Sequence, residues 1–407
     1  MITSSEAIGL EARYGAHNYA PLPVVLEKGK GVYVWDVEGR QYYDFLSAYS
    51  AVNQGHCHPD IISALQQQAE KLTLTSRAFY NDQLGKCEQY MANLFGYDKV
   101  LMMNTGAEAN ETAIKLARRW GYEQKGIAQN KATIIGVEGN FHGRTTTIIS
   151  ASTDSTARRG FGPFTPGFDI IPYNDIAALE AALEQDNVCA LWLEPIQGEA
   201  GVYVPEDGYL KTAELLCKKH NVLLMVDEVQ TGIARTGKLL ASHHEEVRPD
   251  VLILGKALSG GVYPVSAVLA DDHIMLTLQP GEHGSTFGGN PLACAVTTAA
   301  LEVIKKENLA ENATAMGSIF RAEMEQLQQQ YPAIITVRGK GLLNAIVLDP
   351  SSTITADKVC LQLKENGLLA KPTQGNIIRF APPLIMNEKQ LRDCCHIIAK
   401  TFASLWN

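Results

Sequence analysis

The run VLILGK at 251–256 ends an apolar stretch in a lysine. A short apolar run bounded by Pro249 and the Gly260–Gly261 pair predicts a strand buried on both faces. A lysine at the end of such a strand loses its proton more readily than one in water, because burial penalises the charged form. It can then attack an aldehyde and form a Schiff base. Asp227 closes a second apolar stretch, LLMVD at 223–227. It lies 29 residues before Lys256, about one strand-to-strand crossover. The bland alternative is a buried salt bridge between the two, a weak stabiliser because desolvation offsets the attraction.

A third strand end adds an anion site. The strand-like KVLMM at 99–103 is followed by NTGAEANE at 104–111. Thr105 and Glu108 have the spacing of a capping box, and Gly106 lets the backbone turn closely at the helix start. Free amides and the helix dipole at such a start attract an anion. Most capping boxes hold no ligand, and neither a Walker loop nor GxGxxG is present. A lysine, a carboxylate for a pyridinium nitrogen and an anion site are together what pyridoxal phosphate requires. Phe141, in GNFHGRTT at 139–146, could lie flat on a pyridine ring, although such a phenylalanine is more often core. His142 beside it reads as a satisfied hydrogen-bonding side chain rather than an acid or base.

These residues need a scaffold that gathers strand ends. Further candidate strands are 132–137, 168–173, 188–195, 222–228, 250–255 and 264–270, with helical stretches at 175–185 and 208–221 between them. The alternation predicts an α/β domain with a mainly parallel central sheet, whose ligands bind beyond the carboxyl ends of the strands. GVYVWDVEGRQYYDF at 31–45 reads as a hairpin. A long helical pattern at 291–309 leads into a smaller α+β region with short strands at 341–348 and 377–384. The expected division is an N-terminal segment 1–45 packing with the small domain, a large domain 46–295 and a small α+β domain 296–407.

Composition excludes several classes. The chain has 407 residues, 46% hydrophobic and 19% charged, with a net charge of −9. That acidity argues against nucleic acid or an anionic membrane as partner, and no apolar run is long enough to span a bilayer. MITSSEAIGLEARYG lacks a basic n-region and an apolar h-region, so a cytoplasmic protein is expected. Eight cysteines contain no CxxC, which fits thiols in a reducing compartment. His-Cys-His at 56–58 is not expected to hold a metal, because adjacent residues rarely aim at one ion.

LLMVDEVQTGIARTG and RPDVLILGKALSGG resemble the signature of class III, fold-type I pyridoxal-phosphate aminotransferases. YGAHNYAPLPVVLEKGKGVYVWDVEGR, SAYSAVNQGHCHP, LTLTSRAFYN, EPIQGEAGV, PGEHGSTFGGNPL and GLLAKPTQGNIIRFAPPL resemble the ornithine aminotransferases within that family. The resemblance implies transfer of the δ-amino group of L-ornithine to 2-oxoglutarate. The products would be glutamate and glutamate-5-semialdehyde, which cyclises to pyrroline-5-carboxylate.

It also implies roles. Lys256 would be the Schiff-base lysine and proton shuttle, and Asp227 would hold the pyridine nitrogen protonated. Gln230 would bond the phenolic oxygen. Val229 and Phe141 would sandwich the ring. Gly106 and Ala107 would give amides to the phosphate. Thr286 would reach the phosphate of the neighbouring subunit, so the site would need a homodimer. Tyr19 and Arg144 would hold the ornithine α-carboxylate, and Tyr49 would favour ornithine over related amines. Arg379 would bind the α-carboxylate of 2-oxoglutarate, with Glu199 pairing with it during the ornithine half-reaction. His142 stands where some ornithine aminotransferases carry tryptophan. N-acetylornithine and 4-aminobutyrate aminotransferases share Lys256, Asp227, Gln230 and Thr286. A racemase, aminomutase or decarboxylase would have no use for the Glu199–Arg379 pair, and a non-catalytic scaffold no use for the cofactor residues.

Overall fold

The computed structural model describes residues 2–406; the outermost residues of the expected first and last segments, 1 and 407, lie outside it. Seven strands form the central sheet: β1 (Lys99–Met103), β2 (Thr133–Val137), β3 (Phe168–Ile171), β4 (Val188–Leu193), β5 (Leu223–Asp227), β6 (Val251–Leu254) and β7 (Ser266–Ala270). Their order is β1-β7-β6-β5-β4-β2-β3. β7 runs antiparallel to both neighbours, and the other pairings are parallel. Every residue of β4, β5 and β6 is buried, as expected of strands covered on both faces.

β5 and β6 are neighbours, with Asp227 opposite Ile253. Lys256 therefore leaves β6 beside the end of β5. The helix Gly106–Glu123 follows β1 through a complete capping box: Thr105 accepts from the Glu108 amide, and the Glu108 carboxylate accepts from the Thr105 amide. Its buried stripe of Ala109, Ala113, Leu116, Ala117 and Trp120 sets its face against the sheet.

One expectation needs correcting. The helical pattern at 291–309 is two helices, Pro291–Lys306 and Leu309–Gln330. Asn308 takes a left-handed conformation, φ 51°, which asparagine tolerates better than most residues. Lys305 and Lys306 suit the carboxyl end of the first helix, where the dipole favours cations.

Two smaller sheets involve the rest of the chain. Leu26–Lys30, Tyr33–Asp36 and Gln41–Asp44 form an antiparallel set, and Leu368–Leu369 adds in parallel to its last strand. The N-terminal hairpin thus pairs directly with the carboxyl-terminal third. Ile334–Lys340, Leu343–Leu348, Ile377–Phe380 and Lys371–Thr373 form an antiparallel sheet that carries Arg379. Fully buried Arg235 ties the loop after β5 to this region by donating to Asn53 and to the carbonyls of Leu342 and Pro382. Burial pulls its guanidinium down to about 9. Among the described residues no helix is long and apolar enough to cross a membrane.

Candidate active site

The strand ends of the central sheet enclose a cavity of about 190 Å³. Gly106, Ala107, Phe141, Asp227, Val229, Gln230 and Lys256 all line it. Thr286 does not; it is exposed on the loop before the Pro291–Lys306 helix. A side chain at position 106 would press its Cβ to 2.9 Å from Val229, so only glycine keeps the helix start open. Lys256 sits at φ 43°, a region costly for a residue with a Cβ and found where function constrains the backbone.

Asp227 is held from three directions. Its Oδ1 accepts from the Val229 amide at 2.9 Å. Its Oδ2 accepts from Asn110 Nδ2 at 2.9 Å and lies 2.7 Å from His142 Nδ1. The His142 ring stacks on Trp192 at 3.9 Å, and Trp192 Nε1 donates to Asn110 Oδ1 at 3.0 Å. Asp227, Asn110, Trp192 and His142 thus form a closed, buried ring of contacts. Among the described residues, His142 Nε2 is buried without a partner.

Lys256 makes no salt bridge with Asp227 among the described residues, which sets aside the structural ion pair. Burial lowers its affinity for a proton, partly opposed by Glu199. A desolvated amine without a bonded carboxylate is costly as an ammonium and is a competent nucleophile toward an aldehyde. Glu194 adds a second carboxyl, accepting from the Phe141 amide at 2.9 Å and, more weakly, from the Gly198 amide at 3.4 Å. Burial, then the nearby Asp227, pushes Glu194 up to about 8. Amides at a helix start, an aromatic wall, a fixed carboxylate and an unpaired lysine together fit pyridoxal phosphate.

A second cavity of about 510 Å³ shares Phe141 with the first. Tyr19, Tyr49, Arg144, Glu199 and Arg379 all line it. Tyr49 is presented by an unusual turn in which Ser47, Ala48, Tyr49 and Ser50 all have positive φ. The Asp44 carboxylate supports this turn by accepting from the Leu46 and Ser47 amides and bonding His56 Nε2 at 2.7 Å. Tyr49 lies with its ring 5.3 Å from the Arg379 guanidinium, and Arg144 lies 5.6 Å from the Phe141 ring.

Arg379 Nη1 donates to Glu199 Oε1 at 2.8 Å, to the Gly198 carbonyl at 3.1 Å and to Gln230 Oε1 at 3.2 Å. Gln230 Nε2 donates to the same Glu199 oxygen at 3.0 Å. Burial opposes ionisation of Glu199, but Arg379 and Lys256 hold its carboxyl below the ordinary range.

Sequence reasoning assigned no role to Asn110, Glu194, Asp154 or Lys371. Asn110 left a signal, being a polar residue beside the apolar stripe of its helix. Glu194 was visible as a carboxylate ending an apolar strand. Asp154 and Lys371 left none, since only the folded chain brings them to the second cavity.

Comparison with known proteins agrees with this geometry. The model of the family described as aminotransferase class-III matches residues 14–402. The mitochondrial ornithine aminotransferase of Rattus norvegicus is 62% identical over 394 residues, covering 97% of this chain and 89% of that protein. A structure of the ornithine aminotransferase of Toxoplasma gondii, described as holding PLP at partial occupancy at its active site, superposes with a TM-score of 0.97. It is 52% identical and is covered to 95%, against 99% of this chain. The acetylornithine aminotransferase of Elizabethkingia anophelis is 60% identical, with a TM-score of 0.91 over 99% of this chain and 100% of that one. With Lys256, Asp227 and the capped helix start gathered at neighbouring strand ends, the chain belongs to the class III aminotransferases.

Proposed function

We propose that the protein is a pyridoxal-phosphate-dependent ornithine δ-aminotransferase. It moves the δ-amino group of L-ornithine to 2-oxoglutarate, giving glutamate and glutamate-5-semialdehyde, which loses water to form pyrroline-5-carboxylate. The observation that carries this reading is the Glu199–Arg379 pair beside the lysine. It lets one pocket accept a substrate whose reacting end is uncharged by carboxylate and then one whose reacting carbon carries a carboxylate. Relatives named ornithine aminotransferase at 55–62% identity over nearly the whole chain support it.

Bound pyridoxal phosphate would supply an aldehyde carbon and an electron-accepting ring. Gly106 and Ala107 would bind its phosphate, Phe141 and Val229 its ring faces, Asp227 its nitrogen and Gln230 its phenolic oxygen. Lys256 would hold the cofactor and, once released by the substrate amine, carry a proton at Nζ. Tyr19 and Arg144 would anchor the ornithine α-carboxylate and point the δ-amine inward. Arg379 would bind the 2-oxoglutarate α-carboxylate by a two-point contact when Glu199 leaves it. Thr286 would serve the neighbouring subunit of a homodimer. Eight unpaired cysteines suit the reducing conditions of a cytoplasmic protein.

A second reading, N-acetylornithine as the amine donor, is favoured by the description of the Elizabethkingia protein. Both donors carry a δ-amine and differ at the α-nitrogen, an ammonium in one and a neutral acetamide in the other. Asp154 lines the substrate cavity alongside Arg144, which supplies opposite charges for a free α-amino acid. Steady-state assay with each donor and 2-oxoglutarate, following the glutamate that either donor would yield, tests the choice. Higher kcat/KM with ornithine supports the first reading; the reverse overturns it.

A further inference from the structure

We propose that Gln230 couples the Glu199–Arg379 pair to the cofactor side of the site, so that the occupant of the substrate pocket changes the bonding offered to the cofactor. This rests on the functional reading above. Gln230 lines the cofactor cavity, whereas Glu199 and Arg379 line the substrate cavity. Its side chain is the hydrogen-bonded link between the two. Its Nε2 donates to Glu199 at 3.0 Å and its Oε1 accepts from Arg379 at 3.2 Å. An amide nitrogen has two hydrogens, so one N–H remains for the cofactor side.

A substrate carboxylate that claims Arg379 displaces Glu199. Gln230 then loses an acceptor and a donor together. The residue is buried, and a buried amide left with unmade bonds is unstable, so it must find new partners. Gly198 limits where it can turn, because a Cβ built there would lie 1.7 Å from Gln230 Oε1. The backbone at 198 thus crowds one side, while the cofactor cavity that Gln230 also lines offers room. Glu199 also acts on Lys256 through its charge, so a direct field is the competing explanation.

The test titrates the visible absorbance of the cofactor-loaded enzyme with and without glutarate, a dicarboxylate with no reacting carbonyl. In the wild type, glutarate is expected to move the midpoint by on the order of half a pH unit, about one hydrogen bond's effect. Gln230→Met keeps the length and removes both bonds; glutarate should still bind, with less than half the wild-type shift. Gly198→Ala, which displaces the Gln230 amide without changing a charge, should blunt the shift likewise and serves if the first variant loses cofactor. A full shift in either loaded variant would overturn the coupling in favour of a direct field. Glutarate binding to the wild type with an unmoved midpoint would overturn the coupling alone. No glutarate binding would overturn the dicarboxylate pocket and the coupling with it.

Discussion

The two cavities share Phe141 but are built differently. The cofactor cavity is made from the ends of neighbouring strands and the first turn of one helix. Its central carboxylate is gripped by Val229, Asn110 and His142. The substrate cavity draws on separated segments around residues 19, 49, 144, 199 and 379. Its members range from buried Arg379 to Tyr19, which is 72% exposed. On the proposed reading, the chemistry shared by the family would sit on the central sheet, and selectivity would sit where distant segments meet. Substitutions in the first should remove the reaction, and substitutions in the second should redistribute it between substrates.

The sharpest contrast comes from Lys256. Lys256→Ala should lower turnover by roughly four orders of magnitude with both substrates, because nucleophile and proton carrier go together. Measurable turnover near the wild-type rate would break the comparison at once. Arg379→Lys should cost about 100-fold in kcat/KM for 2-oxoglutarate, since a point charge replaces a planar two-point donor. The ornithine half-reaction, followed by stopped-flow absorbance, should change much less. Equal losses in both would mean that Arg379 does not discriminate between them.

Glu199→Ala should shift the ratio of the two half-reactions by about tenfold, weakening the ornithine side, where Arg379 would be left buried without a partner. An unchanged ratio would end the switch account. Glu194→Gln is the mildest. Its carboxyl keeps a proton up to about pH 8 in the fold, against about 4.5 when unfolded. The stability this contributes is complete below about pH 4.5 and is lost as pH rises through about 8. The thermal midpoint of wild-type apoprotein should therefore fall more steeply between pH 5 and 8 than that of the variant. Parallel slopes would show that Glu194 ionises normally.

The same contrast decides what the sequence alone discloses. Lys256, Asp227 and the Thr105–Glu108 cap were legible because each ends a recognisable apolar strand or begins a helix. Their meeting follows from sheet topology, which alternation predicts. Tyr19, Tyr49, Glu199 and Arg379 carry no local pattern of that kind, and resemblance alone pointed to them. The break at Asn308 was hidden because apolar spacing continues across it while one backbone angle reverses. The Gln230 contacts to Glu199 and Arg379 join residues 31 and 149 positions apart, which no local pattern reports.

The central claim is that the substrate pocket selects ornithine through a carboxylate anchor at one end and a charge switch at the other. Its most direct test is a single-turnover experiment on cofactor-loaded protein with L-ornithine, N-acetylornithine and 4-aminobutyrate in parallel. The account predicts fastest loss of the starting cofactor absorbance with ornithine, together with stoichiometric pyrroline-5-carboxylate. Faster conversion of either other amine would contradict it.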